Sequence, residues 1–156
     1  MHTFTKTSIW IARIITVLFV VAFIALAVIL PALVKNFCNS PDLIGDRTQI
    51  TDFEYGFLVG LSYVAVAVAI TVMVFLMALL QRVADERVFD SAMQRPITAI
   101  ILCCIVEAIL FSVISIYFQL AIAIVLMVVL LALCLSVMQS VLKEAIRIKL
   151  ENDFTV

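Results

Sequence analysis

Histidine is almost missing from this chain: His2 is the only one in 156 residues. A zinc cluster or a Ser/His/Asp triad needs an imidazole that the fold can carry to a site, and a terminal one supplies neither. Glycine is scarce too. Gly45, Gly56 and Gly60 are all there are, so no glycine-rich loop is available to cradle a phosphate. Charged residues make up 13% of the chain, against about 25% in ordinary soluble domains. The net charge is -1 and no basic stripe with interleaved aromatics occurs, which excludes the usual footprint of nucleic-acid binding. The four cysteines form no framework. Cys38 stands alone in a polar stretch, while Cys103, Cys104 and Cys134 lie in apolar runs. Vicinal residues on a helix point about 100° apart, so Cys103 and Cys104 are poorly placed to hold one metal, and packing as small apolar residues is their ordinary role. Cys38 has the alternative of joining two copies in an oxidising exterior. No cofactor and no enzymatic activity are expected.

What fills the space is hydrocarbon. The hydrophobic fraction is 66%, well above the roughly 45–50% of soluble domains, and a chain this short cannot hide that excess in its own core. Four stretches are long enough to cross a bilayer: 9–33, 57–80, 97–117 and 120–142. A helix rises about 1.5 Å per residue, so some 20 apolar residues span a ~30 Å hydrocarbon core. The expected architecture is all-α: a single membrane domain over 1–156, folded as a four-helix bundle. The first apolar run is about twice a signal-peptide core and lacks a small-residue cleavage site, so it reads as a span.

Orientation follows from where the charges fall. Lys6 and Arg13 lie at the start of the first span, Arg82, Arg87 and Arg95 between the second and third, and Lys143, Arg147 and Lys149 after the fourth. Only Lys35 and Arg47 occupy the first loop. Eight basic residues against two put both termini in the cytoplasm by the positive-inside rule. The loop 34–56 then faces outward, and the loop 81–96 and the tail 143–156 face the cytoplasm. The corresponding location is the bacterial cytoplasmic membrane.

Local signals mark the element ends. Thr51-Asp52-Phe53-Glu54 fits a capping box that starts the second helix near Asp52, and Ser91-Ala92-Met93-Gln94 is a second candidate ahead of Pro96. Phe53, Tyr55 and Phe57, and at the other rim Phe4 and Trp10, suit the headgroup level. The stretch 97–142 has no glycine or proline. As one helix it would reach ~69 Å, over twice the core thickness, so it must fold back, and Tyr117-Phe118-Gln119 is the best place. Beyond the fourth span, Val141, Ala145 and Ile148 recur on one side with Lys143, Arg147 and Glu151 on another, so the helix is expected to run on into water or along the surface.

Glu107 is the sharpest polar feature. It lies near the middle of the third span, where a charged carboxylate costs at least ~2.5 kcal/mol. Thr71 falls at the same level of the second span, on a line of mostly small residues, Gly56, Gly60, Tyr63, Ala67, Thr71 and Ala78. That line contains a G-x-x-x-G of the kind that lets helices approach closely. Burying it is expected to bring the Thr71 hydroxyl to Glu107, and the same glycines offer a face for a homo-oligomer. Arg13 lies roughly 8 Å shallower than Glu107 and is expected to snorkel to the cytoplasm. Without a cation, the cheapest state of Glu107 is neutral and hydrogen-bonded. The plain reading is a carboxyl that ties helices together; the functional one is a small transporter or export/immunity factor working through it. The few other polar groups in the spans, Ser62, Ser112, Ser115 and Ser136, make a thin path for transport.

The ending Val141-Leu-Lys-Glu-Ala-Ile-Arg-Ile-Lys-Leu-Glu-Asn-Asp-Phe-Thr-Val156, with Val88-Phe89-Asp90 before the third span, resembles the YoaS-like bacterial membrane proteins, a family of unknown function. Their chains characteristically stop just after a Glu-Asn-Asp-hydrophobic-Thr-hydrophobic tail. Members often appear encoded beside small helix-turn-helix regulators of the Cro/repressor type. The resemblance implies a membrane partner that holds or releases such a regulator without touching DNA itself. The docking residues it points to are Phe89, Glu151, Asn152, Asp153 and Phe154. A solvated helix end with i,i+4 Lys/Glu pairing is the plain alternative for the tail.

Overall fold

The computed structural model describes residues 2–40, 50–84 and 94–153. Among them the regular structure is entirely helical: α1 (His2–Cys38), α2 (Asp52–Ala84), α3 (Gln94–Ser115) and α4 (Ala121–Asp153). Each carries a segment long and apolar enough to cross a membrane: Ile9–Cys38, Asp52–Ala84, Gln94–Ser115 and Ala121–Ile148.

The helix ends have local causes. At the start of α2 the capping box is closed in both directions: the Thr51 amide donates to Glu54 Oε2 (2.9 Å) and the Glu54 amide to Thr51 Oγ1 (3.4 Å). Of the second proposed box, Ser91 lies outside the described residues, while α3 begins at Gln94 with Pro96 in its first turn. α1 continues through Pro31, past Leu33, to Cys38. Proline removes one intrahelical donor, which helices tolerate where neighbours compensate. Separately from that lost donor, whose acceptor would be the Ala27 carbonyl, the Tyr55 hydroxyl of α2 donates to the Pro31 carbonyl (3.1 Å) and ties the two helices together at that level.

The chain reverses at 116–120 without glycine or proline. The amides of Tyr117 and Phe118 both donate to the Ile114 carbonyl (3.0 Å each), and Ala121, Ile122 and Ala123 donate to the carbonyls three residues back. A tight i→i+3 turn therefore closes α3 at Ser115, two residues before the expected end, and opens α4 at Ala121.

The helices pack in chain order: α1 on α2, α2 on α3 and α3 on α4, while α1 and α4 hardly touch. The array is therefore open along one side. Its apolar core gathers where α1, α2 and the α3–α4 turn meet, around Leu30, Val34, Leu58, Val66, Ile114 and Ala121. Leu58 is the most enclosed side chain, at 1% exposure. At the opposite end α3 and α4 bury Ile97, Ile100 and Ile146, and Gln139 donates to the Thr98 hydroxyl across that pair.

Candidate functional site

The gap between α1 and α4 is a cleft of about 540 Å³. Phe23, Leu30, Val34 and Phe37 of α1 form one wall, and Ala121, Ile124, Val128 and Leu131 of α4 the other. The floor comes from α2 (Ser62, Ala65, Val66, Ala69, Met73) and α3 (Cys104, Glu107, Phe111, Ile114). These floor residues recur every three or four positions, so each helix presents one continuous stripe to the cleft. Phe37 at the end of α1 and Phe118 in the α3–α4 turn meet with ring centroids 5.9 Å apart and planes tilted by 58°, which closes one end.

Glu107 lies in this floor on the side of α3 that, together with α2, backs the gap between α1 and α4. The residue is 8% exposed, and its Oε2 has no hydrogen-bond partner. Its surroundings are almost wholly hydrocarbon. Ser62 and Cys104 are the other polar side chains in the lining, and the Ser62 hydroxyl donates back to the Leu58 carbonyl of its own helix (2.8 Å). Arg13 also holds a buried Nε without a partner, and among the described residues no basic side chain pairs with Glu107.

The structure does not bring Thr71 to Glu107. Thr71 is exposed, and its hydroxyl donates to the Ala67 carbonyl (2.9 Å). The whole line from Gly56 through Gly60, Tyr63 and Ala67 to Thr71 faces away from the other helices. A Cβ built on Gly56 or Gly60 would meet nothing within 4 Å, so the G-x-x-x-G makes no helix contact within one chain. The stripe that does face inward, Ser62, Ala65, Val66 and Ala69, is also rich in small residues. Its spacing, Ser62-Ala65-Ala69, is of the same three-and-four kind as that of the glycine line, so the sequence did not mark which of the two faces turns inward.

Hydroxyls elsewhere follow the same habit. Thr16, Ser112 and Ser140 donate to the carbonyl four residues back, at 2.8, 2.6 and 3.0 Å. They satisfy themselves at home and leave the buried carboxyl without a donor.

The cysteines remain free thiols: Cys104 is buried, Cys38 and Cys103 are half-buried and Cys134 is exposed. No group of metal-ligating side chains occurs among the described residues. Of the proposed docking residues, Glu151 is exposed and Asn152 and Asp153 end α4, while Phe89 and Phe154 lie outside the described residues. Arg147 pairs with Glu144 (2.7 Å) and with Glu151 (3.7 Å) one turn either side, as an exposed helix in water would arrange them. Comparison with known protein families, curated proteins and solved structures finds no match for the chain.

Proposed function

We propose that this is a four-span protein of the bacterial cytoplasmic membrane, with both ends inside, that serves as a membrane partner of a cytoplasmic helix-turn-helix regulator. The observation that carries the reading is α4. It runs unbroken from Ala121 to Asp153, about 50 Å at 1.5 Å per residue, against a ~30 Å hydrocarbon core. About 20 residues from Ala121 suffice to cross such a core, so the last turns extend beyond it. They expose Lys143, Glu144, Arg147 and Glu151.

Charge supports the orientation. In an up-down-up-down array the start of α1, the end of α2, the start of α3 and the end of α4 share one side. Arg13, Arg82, Arg95, Lys143 and Arg147 fall there, while Asp52 and Glu54 fall on the other with Lys35. The regulator itself is implied by the resemblance of the tail, and α4 gives that tail a rigid stalk.

Transport through Glu107 is the weaker reading. A conducting path needs several ionisable or strongly polar groups in series, and the cleft adds only Ser62 and Cys104 to the carboxyl. The test is co-expression with a helix-turn-helix regulator from the same operon. The full chain should co-purify with it, and a chain ending at Leu150 should insert equally well yet lose it. Retention of the regulator by the shortened chain would contradict the proposal.

A further inference from the structure

Beyond the cytoplasmic surface, the cleft is itself built to hold something. We propose that the α1–α4 cleft is a binding site for a hydrophobic amine, a compact apolar body with one basic nitrogen that pairs with Glu107. The inference rests on the membrane placement proposed above but not on the regulator.

Three observations carry it. Glu107 is only 8% exposed, yet its Oε2 has no partner, and a buried oxygen left without a donor costs about 1–3 kcal/mol. Such a cost persists where an incoming group repays it. The cleft provides room for that group: about 540 Å³ falls within the roughly 300–1,000 Å³ of small-molecule sites. The lining then selects the class. Apart from Glu107, Ser62, Cys104 and the Met73 thioether it offers only hydrocarbon and aromatic rings, with Phe23, Phe37, Phe111 and Phe118 as flat surfaces.

Depth excludes the ordinary occupants of a bilayer. Glu107 lies near the middle of α3, about 20 Å along the helix from its start at Gln94 and about 12 Å from its end at Ser115. A phospholipid keeps its donors and charges at the headgroup level, so only its methyl ends reach this carboxyl. A compact amine carries its nitrogen to the midplane. The acid–amine pair shares one proton and is neutral overall whichever member holds it, so the low dielectric imposes no net buried charge. An ammonium against the carboxyl group brings the acid a donor that no described side chain gives it. The mouth between α1 and α4 opens sideways, which allows entry from the lipid without passage through water.

The test uses the full chain in phosphatidylcholine nanodiscs with two fluorescent probes of nearly equal size, 9-(aminomethyl)anthracene and 9-methylanthracene. The amine should saturate at one per chain, and Glu107→Gln should weaken its binding about tenfold or more while leaving methylanthracene unchanged. Ala69→Phe keeps the acid but fills the floor, and should remove saturable binding of both probes. Amine binding that is equal in wild type and Glu107→Gln overturns the proposal. So does uptake no greater than in protein-free discs, or crosslinking that puts a second copy in the cleft. Incorporation into discs is scored separately, so a failure of membrane placement is read apart from a failure of binding.

Discussion

The two faces of α2 look alike in sequence and stand in opposite surroundings. One face, Ser62, Ala65, Val66, Ala69 and Met73, floors the cleft. The other, Gly56, Gly60, Tyr63, Ala67 and Thr71, points away from every other helix. Two positions along a helix turn it by about 200°, so Ala65 and Ala67, or Ala69 and Thr71, lie nearly back to back. Both stripes are small and apolar. What separates them is their partners, since Leu30 and Val34 of α1 and Ile114 of α3 gather around Leu58 and Val66 and leave the glycine side bare. Small residues permit close approach, but they do not say where it happens.

The sharpest way to break this contrast is to truncate the enclosed side. Leu58→Ala removes the most buried side chain and should cost about 3 kcal/mol, measured by reversible unfolding in mixed micelles. A loss under about 0.5 kcal/mol would mean the face is not packed as described. Next in size is a gain. Glu107→Leu replaces an unpartnered buried carboxyl with hydrocarbon and should stabilise the chain by about 1–3 kcal/mol, while abolishing amine binding. A destabilised Glu107→Leu would show that the acid has a structural partner.

On the bare face the expected effects are smaller. Gly60→Ala should stabilise by about 0.5–1 kcal/mol, because alanine is the better helix former and its methyl meets no neighbour. Destabilisation would instead reveal a helix pressed against Gly60. Thr71→Val should change stability by less than about 0.5 kcal/mol, since the hydroxyl bonds only within its own helix.

The contrast also explains how much the sequence disclosed. The four apolar helices were legible because only long hydrocarbon runs can be read that way, and the reversal between α3 and α4 followed from length alone. Thr51 and Glu54 announced the start of α2, since a capping box is local chemistry that tertiary packing does not override. The inward face of α2 was not legible. Soluble helices mark it with an apolar stripe against a polar one, but α2 is apolar on all sides and carries no such mark. Glu107 stood out as a lone acid in such a run. That α1 and α4 stay apart, and so leave it a cleft, depends on packing order, which no residue encodes by itself.

Everything said of cleft and tail depends on how the helices lie in the membrane, and impermeant-maleimide labelling of intact cells tests that directly. In a background without native cysteines, Phe53→Cys, at a position 85% exposed at the start of α2, should label from outside. Glu151→Cys at the end of α4 should label only after the cells are opened. Labelling of Glu151→Cys in intact cells as readily as Phe53→Cys would contradict the arrangement.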